Sequence, residues 1–333
     1  MKRWIIAQEK GQLGILTLNR PQALNAIDGV LQREIIDQLE CWKIAEHIKV
    51  IIINSSQPKA FCAGGDIRQI TTFLKQGDYE QAIGIFKHNY ELVNYVAHYP
   101  KSVVSVMDGI TMGGGIGLGA FVPYRIVTER SVLAMPEVMI GLTPDAGSNL
   151  LFGKAPGYTG LRAMLTGLRF QAEDAIRLGF ADYIVPSIEI EALISQLETA
   201  NPEELLQPYK RDLQFDPQFL QEVKQVYDSP DIETIITNLE TCNFNWAKTD
   251  MQAMQAACPF SLWITYKAWH RKLRDLGEVL QQDLNLISHL IARPDFIEGV
   301  RASVIDKDRN PKWDRGKVSS DLVDMCFTTA HQF

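Results

Sequence analysis

Several things are scarce in this chain, and each scarcity narrows its function. No run of eighteen or more apolar residues occurs, so no membrane span is expected. The N-terminal Trp4–Ile5–Ile6–Ala7 is too short for a secretory leader core and lacks the Arg/Ser bias of a transit sequence, so neither is expected. The cysteines, Cys41, Cys62, Cys242, Cys258 and Cys326, are an odd, scattered set without a CxxC pair. That pattern suits reduced thiols in a cytoplasmic protein. The histidines, His47, His88, His98, His270, His289 and His331, show no ligand spacing, and no metal is expected. Excess basic charge is missing too. The net charge of -7 argues against a nucleic-acid partner, although a local basic patch for a phosphorylated ligand remains compatible with it. No internal repeat or low-complexity segment is present.

What is present is a globular composition, 46% hydrophobic and 22% charged over 333 residues. That length suits a core domain of about 200 residues plus a second region. Residues 11–18 alternate weakly and read as a strand ended by Asn19–Arg20–Pro21. A helix is expected over 28–46, with Asp28 as N-cap and Leu31, Ile35, Ile36, Leu39 and Trp42 at helical spacing. The β-branched run at 50–53 marks a strand covered on both faces. Residues 60–68 carry a strand-to-helix glycine turn, and a further helix is expected from about 78 to 98. This alternation predicts an α/β layered fold with parallel crossovers. Beyond residue 147 the reading is mostly helical, with one short strand at Tyr183–Ile184–Val185. Asn201–Pro202–Glu203 divides an expected core at 1–200 from a helical region at 201–333.

Residues 103–145 are the stretch with most chemistry. An apolar strand at 103–107 turns at Asp108–Gly109 and runs into Met112–Gly113–Gly114–Gly115–Ile116–Gly117. A β-rich piece follows at 125–128, then Met135–Pro136–Glu137 and Pro144–Asp145–Ala146–Gly147. Three consecutive glycines let a ligand reach backbone N–H groups directly. The first turn of a helix leaves such donors unpaired and carries partial positive charge. Glu137 and Asp145 supply acid–base groups among Met, Val, Ile and Leu. Taken singly, the glycines also suit close helix–sheet packing, Glu137 a solvated loop and Asp145 an ordinary turn.

Several of these pieces, in one order, resemble the crotonase (enoyl-CoA hydratase/isomerase) superfamily. They are Asn19–Arg20–Pro21 with Ala23–Leu24–Asn25, then Ala60–Phe61–Cys62–Ala63–Gly64–Gly65–Asp66–Ile67, then residues 109–117, and finally Met135–Pro136–Glu137 with residues 141–147. Within the superfamily the 3-hydroxyisobutyryl-CoA hydrolase family is most similar. Asp145 stands where hydratases carry glycine, and residues 295–313 are like the hydrolase C-terminus. The resemblance implies a ββα spiral core of the ClpP/crotonase-like α/β class, with a helical C-terminal region over the active site. It implies hydrolysis of an acyl-CoA thioester, most like that of 3-hydroxyisobutyryl-CoA. Coenzyme A would be part of the substrate, with no separate cofactor.

The family likeness also assigns roles. The Gly65 and Gly114 N–H groups would form an oxyanion hole. Glu137 would be the central carboxylate, as base or nucleophile, with Asp145 orienting the 3-hydroxyl or the water. Ala23, Leu24, Ala63, Asp66 and Ile67 would hold coenzyme A, with Arg20, Lys59 and Lys307 as phosphate candidates. Two departures stand out. Gly117 occupies the place of the hydratases' first glutamate. Asn89 occupies that of a further hydrolase glutamate, and Glu91, two residues on, points elsewhere on a helix.

Rival readings remain at this level. Residues 115–120 fit GxGxxA, with Glu137 at a distance suited to a ribose, as in a dinucleotide enzyme. A hydratase or isomerase on another acyl-CoA, or a non-catalytic CoA-binding scaffold, also fits. Cys62 lacks a partnering base and reads as a small buried thiol. Trp263, Tyr266 and Trp269 read as helix packing. A homo-oligomer is compatible with the chain.

Overall fold

The computed structural model describes residues 3–316 and 318–328. Nine strands form among the described residues: β1 (Ile5–Lys10), β2 (Leu13–Leu18), β3 (Val50–Ser55), β4 (Ala60–Cys62), β5 (Ser102–Met107), β6 (Ile110–Met112), β7 (Tyr124–Val127), β8 (Val132–Ala134) and β9 (Tyr183–Ile184). The helices are α1 (Gly29–Ile44), α2 (Ile67–Lys75), α3 (Tyr79–Ala97), α4 (Gly114–Gly119), α5 (Ser148–Phe152), α6 (Thr159–Thr166), α7 (Ala172–Arg177), α8 (Ile190–Leu197) and α9 (Pro202–Leu206). Later come α10 (Pro217–Tyr227), α11 (Ile232–Thr241), α12 (Ala247–Ala256), α13 (Pro259–His270), α14 (Leu276–Ile291), α15 (Pro294–Val300) and α16 (Ser320–Met325). None of these helices is long and apolar enough to cross a membrane.

The chain forms two compact units. The first comprises residues up to 66, 88–134 and 170–213; the second comprises 67–87, 135–169 and the chain from 214 onward. The division expected at residue 200 is therefore not the one observed. Asn201 does not open a linker. It caps α9, its side chain accepting the Glu203 N–H, and Leu193, Leu197 and Leu206 pack into the same core as Leu13, Val50 and Val104. Gln12 ties the segment down through its side-chain bonds to the Leu197 and Ala200 carbonyls.

Both sheets lie in the first unit. One has the order β1-β2-β3-β5-β7-β9, parallel except for the β1–β2 hairpin, and the other has the order β4-β6-β8, all parallel. Three successive strand pairs, β3/β4, β5/β6 and β7/β8, each give one strand to each sheet. This is the expected ββα spiral. Ile51, Ile52, Val104 and Ile126 are fully buried, which is why their runs are apolar on consecutive residues rather than alternating. The N-cap reading of Asp28 also holds, since its carboxylate accepts the Val30 and Leu31 N–H groups.

The small sheet was not legible. The triple glycine follows β6, a three-residue strand inserted after the Asp108–Gly109 turn, rather than the apolar strand at 103–107 itself. Strands of three residues are too short to show a period. The second unit is mainly helical. The carboxylate of Asp250 on α12 pairs with Arg162 of α6 at 2.6 Å and accepts the Tyr227 hydroxyl at 2.7 Å. The packing reading of α13 holds: the Tyr266 hydroxyl donates to the Ser229 carbonyl, and Trp269 lies against Tyr158.

Candidate active site

The first unit builds the amide donors. Residues 20–27 fold back along the 62–66 turn. Leu24 and Asn25 adopt left-handed conformations, with φ of 50° and 55°. The Asn25 side chain is wholly buried and locks the loop, accepting the Arg20 N–H and donating to Ser55 Oγ and the Phe61 carbonyl. Ala63 N–H donates to the Leu24 carbonyl, Ile27 N–H to Gly64 and Asp66 N–H to Ile27. Ala23, Leu24, Ala63 and Asp66 are thus brought together, and Ile67 follows as the first residue of α2. The Ile27–Gly65 bridge uses the groups on either side of Gly65, leaving the Gly65 N–H outside that ladder.

The second glycine turn lies against the first. A β-carbon on Gly64 would stand 3.0 Å from the Met112 carbonyl and 3.5 Å from Gly114 N, and one on Gly115 would stand 2.3 Å from the Cys62 carbonyl. Only backbone without side chains approaches this closely. Gly113 has a φ of 50°, and Gly114 is the first residue of α4, so its N–H has no partner one turn earlier in the helix. The two glycine turns therefore meet backbone to backbone. Cys62 beneath them is a buried thiol donating to the Asn25 carbonyl, and burial pushes it up to about 12. It is no nucleophile at neutral pH.

Asn89 sits on the same ground. It is buried on α3, with its Nδ2 only 2.6 Å from where a Gly114 β-carbon would be. Its Oδ1 is buried without a hydrogen-bond partner among the described residues. Glu91 is exposed, so it does not replace the missing glutamate. Gly117 is a buried position inside α4. So are Gly115 and Gly119, and a dinucleotide fingerprint would instead have to occupy a strand-to-helix turn.

The phosphate candidates fare unequally. Arg20 is occupied within the fold, its guanidinium bonding Asp66 at 2.7 Å and the Ala26 carbonyl at 2.8 Å. It organises the loop rather than standing free for an anion. Lys59 and Lys307 are exposed. Of the six histidines, His331 lies outside the described residues.

The second unit holds the carboxylates. Residues 137–140 form a single 3-10 turn closed by Gly141, whose φ is 78°. Gly141 and Gly299 allow α15 to lie directly on this turn. A β-carbon on Gly141 would stand 2.8 Å from the Asp295 backbone, and one on Gly299 would stand 2.6 Å from Ile140 Cα. Glu137 is buried at 7% exposure, and its Oε2 has no hydrogen-bond partner among the described residues. Burial holds its carboxyl well above the ordinary value; the Asp145 charge adds to this, its own N–H opposes it, and Asp283 adds a further push.

Asp145 is also buried, at 5% exposure. Its carbonyl accepts the Ser148 N–H, and the turn passes through two left-handed residues, Ala146 at 51° and Gly147 at 81°. Gly147 N–H donates to Asp283 Oδ2 at 2.9 Å. The sequence reading missed Asp283. Its signal was there: Leu276, Val279, Leu280, Leu286, Ile287 and Leu290 are the buried stripe of α14, and Asp283 occupies the middle of it.

Comparison with known proteins agrees with this architecture. The family model described as enoyl-CoA hydratase/isomerase matches residues 13–327. A protein of Danio rerio named 3-hydroxyisobutyryl-CoA hydrolase, mitochondrial, is 35% identical, the match covering 98% of this chain and 89% of that one. Arabidopsis thaliana 3-hydroxyisobutyryl-CoA hydrolase 1 is 31% identical over 93% of this chain and 86% of its own. The crystal structure of an enoyl-CoA hydratase from Rhodobacter sphaeroides superposes with a TM-score of 0.90 at 32% identity, covering 98% of this chain and 97% of that one. A carnitinyl-CoA dehydratase from Mycobacterium thermoresistibile gives 0.91 at 29% identity, with 99% and 97% covered. The chain belongs to the enoyl-CoA hydratase/isomerase, or crotonase, family.

Proposed function

We infer that this chain hydrolyses an acyl-CoA thioester and that its substrate is a short branched 3-hydroxyacyl-CoA, with 3-hydroxyisobutyryl-CoA the best fit. The observation that carries this is the buried Glu137 carboxyl with an unpartnered oxygen, in a chain whose residue 117 is glycine. Water-adding members of the family use two glutamates, and here the first is gone. The pair that remains is Glu137 with Asp145. The relatives named as hydrolases match over nearly the whole chain, which supports the same choice.

In this reading the Gly65 and Gly114 N–H groups polarise the thioester carbonyl. Backbone donors of this kind act on charge that develops during attack, and removing one typically costs about 2.7–4 kcal/mol of barrier. Glu137 either takes a proton from water or attacks the carbonyl carbon to give a mixed anhydride. The C–S bond breaks, coenzyme A leaves as its thiol, and the acyl group leaves as a carboxylic acid. A raised carboxyl suits a general base poised near neutral pH. Single-turnover hydrolysis in heavy-oxygen water separates the two routes, because only attack carries label into Glu137. Asp145 orients the water or the 3-hydroxyl. Asn89 Oδ1, an acceptor without a partner beside Gly114, favours an acyl chain bearing a hydroxyl. Ala23, Leu24, Ala63, Asp66 and Ile67 hold coenzyme A, mainly through backbone groups. Five unpaired thiols support a reducing compartment such as the cytoplasm, whereas several relatives are named mitochondrial.

A panel of acyl-CoAs, read in parallel for free thiol and for enoyl absorbance, tests the assignment. Thiol release selective for 3-hydroxyisobutyryl-CoA is expected. Enoyl hydration without thiol release would replace it with a hydratase.

A further inference from the structure

We propose that Asn89, on α3, is a third donor of the oxyanion hole: its Nδ2–H donates to the thioester oxygen together with the Gly114 N–H, which leaves Oδ1 to accept from the acyl hydroxyl. The proposal rests on the thioesterase reading of this chain and adds a catalytic residue to it. Asparagine stands where the hydrolase resemblance places a glutamate, and an amide can donate where an ionised carboxylate only accepts.

The side chain is buried and unsatisfied. Asn89 is 5% exposed, and on α3 it shares a buried row with Leu92, Val93 and Val96. Its Oδ1 has no hydrogen-bond partner among the described residues, and none of the described hydrogen bonds uses its Nδ2. An amide buried in this state gives up water and gains nothing in exchange, which is costly. Leucine branches at the same atom and would continue the row without that cost. A native chain seldom keeps such a group without a use for it. Both ends of this amide are held for something that binds.

The position fits the role. Asn89 and Gly114 belong to the same compact unit. Nδ2 lies 2.6 Å, Oδ1 3.2 Å and Cγ 3.3 Å from the point where a Gly114 β-carbon would stand. The amide thus takes the room that a side chain at 114 would need, and Nδ2 is its nearest atom. Gly114 N is about 2.5 Å from the same point by ordinary covalent geometry, so the two nitrogens are at most about 5.1 Å apart. One oxygen can accept from both at about 2.9 Å each. A thioester oxygen that gains charge during attack is such an acceptor, and donors already in place as the charge develops lower the barrier. In a 3-hydroxyacyl thioester the hydroxyl oxygen and the carbonyl oxygen can lie on one side of the acyl chain, where the two ends of one amide meet both.

Asn89→Leu removes both ends of the amide. Its kcat for thiol release is expected to fall about 10-fold with little change in KM, a smaller loss than when one of only two donors is deleted. A rise in its urea midpoint, from removal of an unsatisfied buried amide, would show that it folds. Two substrates separate the ends. Isobutyryl-CoA has no hydroxyl, so the loss on it reports the donor alone; it should persist there and be larger on 3-hydroxyisobutyryl-CoA. Asn89→Asp keeps an acceptor but has no donor when ionised, and its kcat should fall at least as far on both. A loss confined to the hydroxylated substrate, a change in KM alone, or wild-type rates in both variants would overturn the proposal. An isobutyryl-CoA analogue with a methylene in place of sulfur gives a reading without turnover. Its bound carbonyl stretch, read by infrared difference spectroscopy, should lie at lower frequency in wild type than in Asn89→Leu. Equal stretches, or an analogue that wild type does not bind, would overturn the proposal. A wild type that lowers the stretch but releases no thiol would defeat the proposed hydrolysis and leave this donor standing.

Discussion

The carboxamide nitrogen of Asn89 lies 2.6 Å from where a β-carbon on Gly114 would stand. Gly114→Ala keeps its backbone N–H but drives Asn89 aside. Misplacement of about 1 Å at a reacting centre costs on the order of 100-fold in rate. Thiol release by Gly114→Ala is expected to fall about 10- to 100-fold, and adding Asn89→Ala should recover part of the Gly114→Ala loss. A double-mutant cycle reads this directly. Strictly additive losses would show that the contact does not limit the site.

Glu137 links catalysis to stability with opposite signs. Its folded carboxyl lies well above the ordinary value of 4.5, chiefly through burial. At low pH both folded and unfolded chains hold the proton. As pH rises through the unfolded value, only the unfolded chain releases it, so the folded state loses stability until the raised folded value is passed. Glu137→Gln removes that penalty. The variant is expected to be more stable than wild type by about 1–3 kcal/mol at pH 8, with the difference shrinking towards pH 4. Urea midpoints at several pH values measure it. A gain that does not depend on pH would contradict the buried-charge account.

Gly299 allows α15 to lie on the Glu137 turn. Gly299→Ala would place a methyl 2.6 Å from Ile140 Cα and 2.7 Å from the Trp313 ring. Neither the backbone nor the large ring can yield cheaply, and overpacking of this kind costs about 1–3 kcal/mol. Lower stability and lower kcat are expected together. Gly84→Ala on α3, with nothing within 4 Å, is the control. It should leave stability unchanged or raise it by up to about 1 kcal/mol.

Cys62 lies directly under the two glycine turns, yet burial makes it inert. Iodoacetamide at pH 7.5 is expected to leave activity intact and to label the exposed Cys41 first. Rapid loss of activity together with mass added at Cys62 would show that the turns open in solution.

The sequence exposed those parts of the fold that depend on long periods or on glycine. The apolar runs of β3 and β5, the α1 stripe behind its Asp28 cap, and the glycine turns at 63–66 and 113–115 were all legible. Three-residue strands carry no period, so the β4-β6-β8 sheet was not. Asn201–Pro202 resembled a linker because a capped helix start and a loop use the same residues; only packing of Leu197 and Leu206 distinguishes them. Arg20 stands as a phosphate candidate in the sequence because nothing local reveals that Asp66, far along the chain, accepts from it. Asp283 was hidden differently. One acid in a long apolar stripe is a visible anomaly, but its meaning depends on Gly147, 136 residues away in sequence.

The most direct measurement is the rate of free-thiol release from 3-hydroxyisobutyryl-CoA by wild type and Glu137→Gln, assayed side by side at pH 7.5. The account predicts ready turnover by wild type and a loss of about 100- to 10,000-fold in the variant, which should still fold and still bind coenzyme A. Undiminished release by Glu137→Gln would contradict it.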